Sequence, residues 1–411
     1  MSDIKPFPGL RPQPQLVDKV ASPPYDVLSS DEARAIAKQN PDTFLRVVKA
    51  EVDLPPDVDV HSDQVYDKSA ENFHRLIDEG ILVREPSPCF YIYRLKMQNH
   101  VQHGLVVGAS VDEYESGAIK KHEHTRRDKE DDRARHVQKL MANAGPVLFT
   151  YREVDQISKK INDLSKAAPI YDFIADDGVG HTVWKVSDQD DITWLRDAFR
   201  SVPALYIADG HHRSASAYRV RNNLRQANPN HTGDEPYNHF LAVLFADSEL
   251  QIMGYHRVIK DLNGMEPGEF WVSVQKNFHV ESTKIPEPQG PKTFSCYLDG
   301  DWWRLSAKPG TFPENDPVSS LDVSILQNNL LAPVLGIGDP RTDKRIDFVG
   351  GIRGTKELEK RCATDSRIAF ALYPVSVDQL MNIADAGQVM PPKSTWFEPK
   401  LRSGVIVRSL E

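Results

Sequence analysis

The chain has 411 residues, of which 40% are hydrophobic and 27% are charged, a composition typical of a globular protein. At this length two or three domains are expected. The formal net charge of −9 argues against a broad nucleic-acid-binding surface but is compatible with a small basic pocket. No segment approaches the roughly 18 consecutive apolar residues of a membrane span. We therefore expect neither nucleic acid nor a membrane as a partner.

The cellular location is predicted from the N-terminus and the cysteines. The first residues lack the apolar core of a secretion signal. Cys89, Cys296 and Cys362 lie far apart and never form a CxxC pair, which excludes a disulfide framework and the spacing of a zinc ribbon. A reducing cytoplasm fits these features best.

The N-terminal part of the chain is rich in proline and then helical. Pro23 and Pro24 fix an extended backbone within the segment 22–26. Residues 29–32 are typical of a helix cap and predict a helix over 33–39. A second helix is predicted over 65–79, ending at Gly80.

The middle of the chain alternates between strands and helices. Residues 89–96 and 104–114 are rich in β-branched and aromatic residues, and they predict paired strands. The charged stretch 122–142 predicts a polar loop followed by a mostly exposed helix. The other elements predicted here are strands at 146–151, 204–207 and 239–246 and helices at 192–200 and 213–222.

Proline-rich stretches at 286–291 and 309–317 mark loops or a boundary in the last third of the chain. Beyond them we predict a helix at 321–335, a strand at 367–373 and a helix at 377–386. The mixed order of elements predicts an α+β (mixed α/β) fold.

The junction Asp209-Gly210-His211-His212-Arg213 is the strongest candidate site. Free backbone N–H groups and the helix dipole at a helix start bind anions, and Gly210 allows a phosphate to approach closely. Arg213 offers a fork of donors to phosphate oxygens. His211 and His212 can donate hydrogen bonds or move a proton. Asp209 is placed to hold Mg²⁺ or to accept a proton.

Two other interpretations of this junction are open. Asp209 alone could be a helix cap, with both histidines facing solvent. His211 and His212 could instead bind zinc, although neighbouring residues on a helix point about 100° apart, which is poor geometry for gripping one ion.

A second candidate segment, residues 120–127, combines four cations with His122, Glu123 and His124. Phosphoryl transfer depends on positioning and charge neutralisation, with one group that takes the hydroxyl proton. Glu123 is the predicted base, with Asp209 as the substitute. His122 and Thr125 are predicted to contact phosphate, and Arg126 the carboxylate of a substrate.

That segment also has a structural interpretation, because a run of charges is commonly a solvated loop. It does not match the HExxH zinc motif, since its second histidine follows the first by two positions. The charged run 128–135 is interpreted as a solvated helix face.

Three further motifs complete the candidate list. Lys393-Ser394-Thr395 offers a cation and two hydroxyls for phosphate, or else forms a structural clasp. Tyr25 and Asp26 are candidate substrate-binding residues. The pair His256-Arg257 could reach the same cleft, but it is interpreted as a surface pair.

Four motifs in this chain resemble the hallmarks of a bacterial domain-of-unknown-function family, DUF1015. They are Ser22-Pro23-Pro24-Tyr25-Asp26, His122-Glu123-His124-Thr125, the segment from Ala208 to Ala217, and Met390 to Thr395 followed by Pro399-Lys400. They occur in the expected order over nearly the whole chain. The chain is identified as a member of that family on these motifs.

The Gly210-to-Arg213 turn is also similar to the phosphate-binding turn of the ParB and sulfiredoxin-like fold, on which free serine kinases are built. This resemblance implies a ParB-like core at 87–262, an N-terminal proline-rich and helical segment at 1–86 that packs on the core, and a C-terminal α/β domain at 263–411. Sulfiredoxin chemistry is not supported, because no cysteine lies in the turn.

The resemblance implies a kinase that uses ATP or ADP with Mg²⁺ to phosphorylate a hydroxyl, that of free L-serine. One alternative is a ParB-like nucleotide-binding regulator without turnover. A second is a metal-dependent hydrolase that uses His122, His124 and the pair His211-His212. The expected partners are a nucleotide and a small hydroxyl substrate, and a homodimer is left open.

Overall fold

The computed structural model describes residues 2–411, which form two compact units. The first unit extends to Leu250 and also includes Pro399–Glu411, and the second comprises Gln251–Glu398. The mixed α/β class predicted from the order of elements is confirmed. The division into domains ending at residues 86 and 262 stays a prediction.

The strands are short to medium in length, with His100–Ser110 the longest. In chain order they are β1 (Ile4–Lys5), β2 (Leu10–Pro12), β3 (Leu82–Arg84), β4 (Phe90–Met97), β5 (His100–Ser110), β6 (Ile119–Lys120), β7 (Ala142–Asn143), β8 (Val147–Tyr151), β9 (Tyr171–Ile174), β10 (Gly180–Val186), β11 (Leu205–Asp209), β12 (His239–Ala246), β13 (Gln251–Met253), β14 (Tyr255–Ile259), β15 (Phe278–Ser282), β16 (Thr293–Leu298), β17 (Asp301–Ala307), β18 (Ile346–Gly350), β19 (Ile368–Leu372), β20 (Trp396–Glu398) and β21 (Arg408–Ser409).

The α-helices are interspersed among these strands along the chain. They are α1 (Val17–Val20), α2 (Ser30–Gln39), α3 (Leu45–Val48), α4 (Asp63–Asp78), α5 (Val111–Ser116), α6 (Arg127–Leu140), α7 (Asp155–Leu164), α8 (Gln189–Arg200), α9 (His211–Ala227), α10 (Pro267–Val274), α11 (Asp322–Leu326), α12 (Gly354–Thr364) and α13 (Val377–Asp385). Among residues 2–411, no helix combines the length and the apolar composition that crossing a membrane requires.

The first unit is built on a nine-stranded mixed sheet with the order β6-β11-β8-β12-β5-β4-β10-β9, and β1 also pairs with β5. The pairs β6·β11 and β8·β12 are parallel, and the pairing is otherwise antiparallel. Every residue of β12 is buried. A strand covered on both faces has such a nearly continuous apolar sequence, which explains its central position.

Several sequence predictions are confirmed at the level of elements. The Ser29–Glu32 capping box opens α2, and Gly80, with φ +69°, follows the end of α4. The predicted strand over 104–114 is wrong at its end. Ser110 accepts a hydrogen bond from the backbone N–H of Glu113 and begins α5, so the strand stops there.

The short strand β6 determines which loops meet at one edge of the sheet. Ile119 is paired with Leu205 and Lys120 with Tyr206, in parallel. Because parallel strands end at the same edge, the loop 121–126 and the start of α9 emerge side by side. The two motifs that the sequence singled out are therefore neighbours.

The segment 399–411 returns to the first unit and joins its N-terminal part. Ser403 and Ser22 exchange two backbone hydrogen bonds, of 2.9 and 3.0 Å, and Arg408–Ser409 pairs with Ala142–Asn143. These contacts bring the last part of the chain close to the segment 22–26.

The second unit contains a six-stranded antiparallel sheet with the order β15-β17-β16-β19-β14-β18. The central strand β19 is buried along its whole length. The helix predicted at 321–335 is shorter than expected, because α11 ends at Leu326 and one turn of π-helix follows at Gln327–Leu331.

Candidate functional site

The turn between β11 and α9 has the geometry of an anion site. Gly210 adopts φ +104°, a conformation that favours glycine, and it directly precedes the first helical residue. A Cβ at this position would lie 3.0–3.1 Å from the guanidinium of Arg213. The first turn of α9 contains no acidic residue. Its N-terminal backbone N–H groups and dipole therefore attract negative charge without a carboxylate in the same turn.

Asp209 is the point on which two cations converge. Arg213 Nη2 lies 3.4 Å and Lys400 Nζ 3.5 Å from Asp209 Oδ2. Arg213 Nη1 also donates to the carbonyl of Pro146. The side chain of Asp209 is 32% exposed, so solvent or a ligand can reach the group.

The charge of Asp209 is fixed by these neighbours. Burial favours the neutral acid, but the positive charges of Lys400 and Arg213 outweigh it and hold the pKa of Asp209 well below its usual range. The carboxylate is therefore ionised at neutral pH. Because its proton affinity is so low, it is better suited to binding cations than to accepting a proton.

The loop 121–126 is tied to α9 by two hydrogen bonds to histidine rings. The backbone N–H of His122 donates to His211 Nε2 at 3.4 Å, and that of Arg126 donates to His212 Nε2 at 3.1 Å. His212 therefore carries its ring proton on Nδ1 and fastens the loop at the start of α6. The two predicted site segments are joined directly.

His122 is buried, with only 2% of its surface exposed. Within the described part of the chain, neither of its ring nitrogens has a partner at hydrogen-bond geometry, although the backbone of Ile207 interacts with the ring. Its ring meets that of His211 edge-on, with the centroids 4.4 Å apart. Burial lowers the pKa of His122 to about 4, so the ring is neutral at neutral pH. An unsatisfied buried polar group costs about 1–3 kcal/mol, which makes this residue unusual in a folded protein.

Glu123 stands beside His211 at the edge of the site. Its Oε2 lies 3.8 Å from His211 Nδ1, and its side chain is 40% exposed. Burial, reinforced by the nearby histidines and Lys121, lowers the pKa of His211 well below its ordinary value. A neutral His211 that accepts at Nε2 presents its Nδ1–H toward the Glu123 carboxylate.

A cavity adjoins Arg213 on the side of the N-terminal motif. Its empty space, counting the part that is open solvent, is about 540 Å³, and its lining includes Tyr25, Arg133, Asn143, Gly145, Arg213 and Ser403. The guanidinium of Arg133 lies 4.1 Å from the centre of the Tyr25 ring. Burial raises the pKa of Tyr25 to about 12, so its hydroxyl stays protonated and can donate. Tyr25 and Arg213, both predicted from the sequence, line the same cavity.

The remaining residues predicted for the first unit lie nearer the surface. Thr125 Oγ1 donates to Glu130, and the exposed Arg126 pairs with Asp128 at 2.8 Å. Asp26 is exposed. Their predicted contacts with phosphate and substrate stay predictions.

Lys393, Ser394 and Thr395 belong to the second unit, and their predicted contact with phosphate stays a prediction. Ser394 Oγ donates to the carbonyl of Pro391 at 2.5 Å, and the carbonyl of Lys393 accepts from Arg257 Nη2 at 2.9 Å. The interpretation of residues 256–257 as a surface pair is wrong. Both are buried, because Arg257 holds this turn and His256 Nδ1 accepts from the backbone of Leu372.

Two residues of the site were not predicted from the sequence. Lys400 was seen only as part of a family motif, and Arg133 only as part of a charged helix face. The interpretation of residues 128–135 as a solvated helix face is therefore partly wrong. Asp132 is buried and accepts a hydrogen bond from the Tyr66 hydroxyl at 2.7 Å. The side chain of Arg133 is only 13% exposed and pairs with Asp132. The signal for Lys400 was the Pro399-Lys400 pair of the family motif.

The fold is that of a mixed α/β protein, and its strand-glycine-helix turn has the geometry of an anion site. The chain belongs to a family described as a protein of unknown function, DUF1015, whose model matches residues 4–324. The match includes the segments around Tyr25, Glu123 and Asp209, whereas Lys400 lies beyond it. No curated protein matches the chain by sequence.

Several solved structures are similar to this chain at low identity. A free serine kinase in complex with AMP has a TM-score of 0.36 and 10% identity, covering 72% of this chain and 86% of that one. A conserved hypothetical protein from Pyrococcus furiosus has a TM-score of 0.34 and 13% identity, covering 72% and 90%. SbnI with a C-terminal truncation, from Staphylococcus aureus, has a TM-score of 0.33 and 11% identity, covering 72% and 85%. At TM-scores this low, similarity does not establish a shared function.

Proposed function

We propose that this protein is a nucleotide-dependent small-molecule kinase that phosphorylates a hydroxyl, that of free L-serine, to give O-phosphoserine. The observation that carries the proposal is the convergence of Arg213 and Lys400 at the N-terminus of α9, with Glu123 on the adjacent loop. Two cations and a helix N-terminus bind phosphate, and a neighbouring carboxylate accepts a proton.

Phosphate binding is assigned to the turn and its two cations. The guanidinium of Arg213 lies over Gly210, 3.0–3.1 Å from the place where a Cβ would stand, so glycine at this position allows the guanidinium to sit against the turn. Lys400 adds a second positive charge within 3.5 Å of Asp209. Charge neutralisation of this kind is the main contribution of a protein to phosphoryl transfer.

Asp209 is assigned to the magnesium ion that accompanies the nucleotide. Proteins bind Mg²⁺ through one or two carboxylates together with phosphate oxygens, and Asp209 is an ionised, partly exposed carboxylate at the proposed phosphate site. When bound, the ion neutralises charge on the phosphates. The residues present therefore fit this cofactor.

Glu123 is assigned as the proton acceptor. Asp209 is a poor base because Lys400 and Arg213 hold its pKa so low. Glu123 is more accessible, with 40% of its side chain exposed, and its Oε2 lies 3.8 Å from His211 Nδ1. In the proposed reaction the serine hydroxyl attacks the terminal phosphorus of the nucleotide, its proton passes to Glu123, and the shortened nucleotide leaves. ATP gives ADP, and ADP gives AMP.

The cavity beside Arg213 is assigned to the acceptor. A serine carboxylate buried without a partner costs several kcal/mol, so a cation must face it. Arg133 and Arg213 both line the cavity, and the protonated hydroxyl of Tyr25 adds a donor. The ammonium group is assigned to Asp26, because Asp209 holds the magnesium ion in this proposal.

The direct test is incubation of the full chain with L-serine, Mg²⁺ and either ADP or ATP, followed by phosphorus NMR. We expect O-phosphoserine to accumulate. Ethanolamine lacks the carboxylate and glycolate lacks the ammonium group, so both should react far more slowly. Nucleotide binding without any phosphoserine would favour the ParB-like regulator instead.

We expect Arg213→Ala to weaken nucleotide binding by about 1.5–3 kcal/mol, the contribution of a hydrogen bond to a charged group. Isothermal titration calorimetry with ADP and ATP measures the change. Arg225→Ala is the matched control, since Arg225 is an exposed residue in the last turn of the same helix. Equal nucleotide affinity of the Arg213 and Arg225 variants would mean that phosphate does not bind at this turn.

A further inference from the structure

His122, Glu123 and His211 form a compact group of metal-ligand atoms at the end of β11. One ligand atom from each residue lies within 4.8 Å of the other two. The distance from His211 Nδ1 to Glu123 Oε2 is 3.8 Å. A tetrahedral zinc ion about 2.1 Å from each ligand holds the ligand atoms about 3.4 Å apart, so small side-chain movements bring the three into place.

The unsatisfied ring of His122 is an independent observation that points to a ligand. The residue is only 2% exposed, and neither ring nitrogen has a partner at hydrogen-bond geometry within residues 2–411, although the backbone of Ile207 interacts with the ring. Buried polar groups are normally hydrogen-bonded or coordinate a metal. The edge-on contact with His211, with centroids 4.4 Å apart, places the ring beside the other two ligands.

We propose that His122, Glu123 and His211 bind one divalent ion of the zinc, cobalt, manganese or iron class, with at least one coordination position left open. Two imidazoles and one carboxylate suit these ions and do not suit Mg²⁺ or Ca²⁺, which prefer oxygen ligands. The proposal goes beyond the proposed kinase function and does not depend on it.

Binding through His211 Nδ1 has a defined cost. The ring proton must move to Nε2, which then no longer accepts from the backbone N–H of His122. The hydrogen bond that is lost is long, at 3.4 Å. The exchange therefore replaces a weak contact with a metal–nitrogen bond.

The ion would also compete with the proposed proton transfer, a consequence that does rest on the proposed function. Glu123 cannot serve as a ligand and as a proton acceptor at the same time. Occupancy by zinc should therefore inhibit phosphoryl transfer even where nucleotide and Mg²⁺ are bound.

The test is direct metal binding by the full chain after treatment with a chelator. Co²⁺ is titrated while its visible absorption is followed, and Zn²⁺ affinity is measured by competition with a chromophoric chelator. We expect one Co²⁺ per chain, displaced by Zn²⁺ and not by Mg²⁺. His122→Ala and Glu123→Gln should each weaken binding by more than about tenfold, since even partners outside the ligand set contribute about 10- to 100-fold.

His124→Ala is the matched control, because His124 is an exposed histidine in the same loop. It should bind Co²⁺ as the unaltered chain does. If His122→Ala fails to fold, Glu123→Gln still tests the metal site, because the Glu123 side chain is 40% exposed and its substitution should not disturb folding. Absence of Co²⁺ binding by the unaltered chain, or unchanged affinity of the Glu123 variant, would overturn the proposal. This metal titration does not measure phosphoryl transfer, so its result stands whether or not the kinase proposal is correct.

Discussion

Glu123→Gln should lower the rate of phosphoserine formation by about 10²- to 10⁴-fold, the contribution typical of a general base. Glutamine keeps the shape of the side chain and loses the proton acceptor. Nucleotide affinity should stay nearly unchanged, because the proposed phosphate ligands Arg213 and Lys400 are not altered. Single-turnover kinetics in chelator-treated buffer containing only Mg²⁺ separate the chemical step from binding.

Asp128→Asn is the control for this experiment, since Asp128 is an exposed carboxylate just after the same loop. It should keep the full rate. Asp209→Asn should instead weaken nucleotide binding in the presence of Mg²⁺. If Glu123→Gln keeps the full rate and Asp209→Asn alone is inactive, the roles of the two carboxylates must be exchanged.

Phe149→Ala should reduce the free energy of unfolding of the first unit by about 3–5 kcal/mol, the usual effect of removing a buried phenylalanine. Phe149 is fully buried in β8, between β11 and β12, and its ring meets that of Phe240 edge-on at 5.8 Å. The cavity left behind would lie next to the strand that carries Asp209. Hydrogen exchange of peptides covering 147–151, 205–209 and 239–246 in native buffer and in urea measures the loss.

Ile174→Ala serves as the comparison within the same sheet. Ile174 is 76% exposed at the edge strand β9, so its truncation should change stability by less than about 0.5 kcal/mol. Similar losses for the two variants would mean that Phe149 does not lie in the core of this unit.

The fold class followed from local patterns, whereas the details that depend on long-range pairing did not. Helices with caps and strands with continuous apolar runs, such as β12, were found close to their observed bounds. The two-residue strand β6 has no periodicity to reveal it. Yet its parallel pairing with β11 is what joins the loop of Glu123 to the turn of Gly210.

The residues of the candidate site also divide into those that a local sequence pattern reveals and those that only the tertiary structure reveals. Sequence singled out Asp209, Gly210 and Arg213 because a strand, a glycine and a helix start are contiguous in the chain. Lys400 and Arg133 are brought in by tertiary structure, and their contacts with Asp209 and Tyr25 leave no local pattern. A run of charges also cannot show which of its members are buried, as Asp132 demonstrates.

The return of residues 399–411 to the first unit has a consequence for biosynthesis. Asp209 and Arg213 leave the ribosome long before Lys400, with the whole second unit translated in between. The nascent first unit therefore lacks the second cation of its anion site, and Ser22 lacks its backbone partner Ser403. In a translation product that stops within the second unit, the sheet of the first unit can form, but Asp209 has Arg213 and lacks Lys400 as a partner. If the proposed phosphate site is correct, such a fragment should bind phosphate more weakly than the full chain, and its affinity should show whether translation has continued past Lys400.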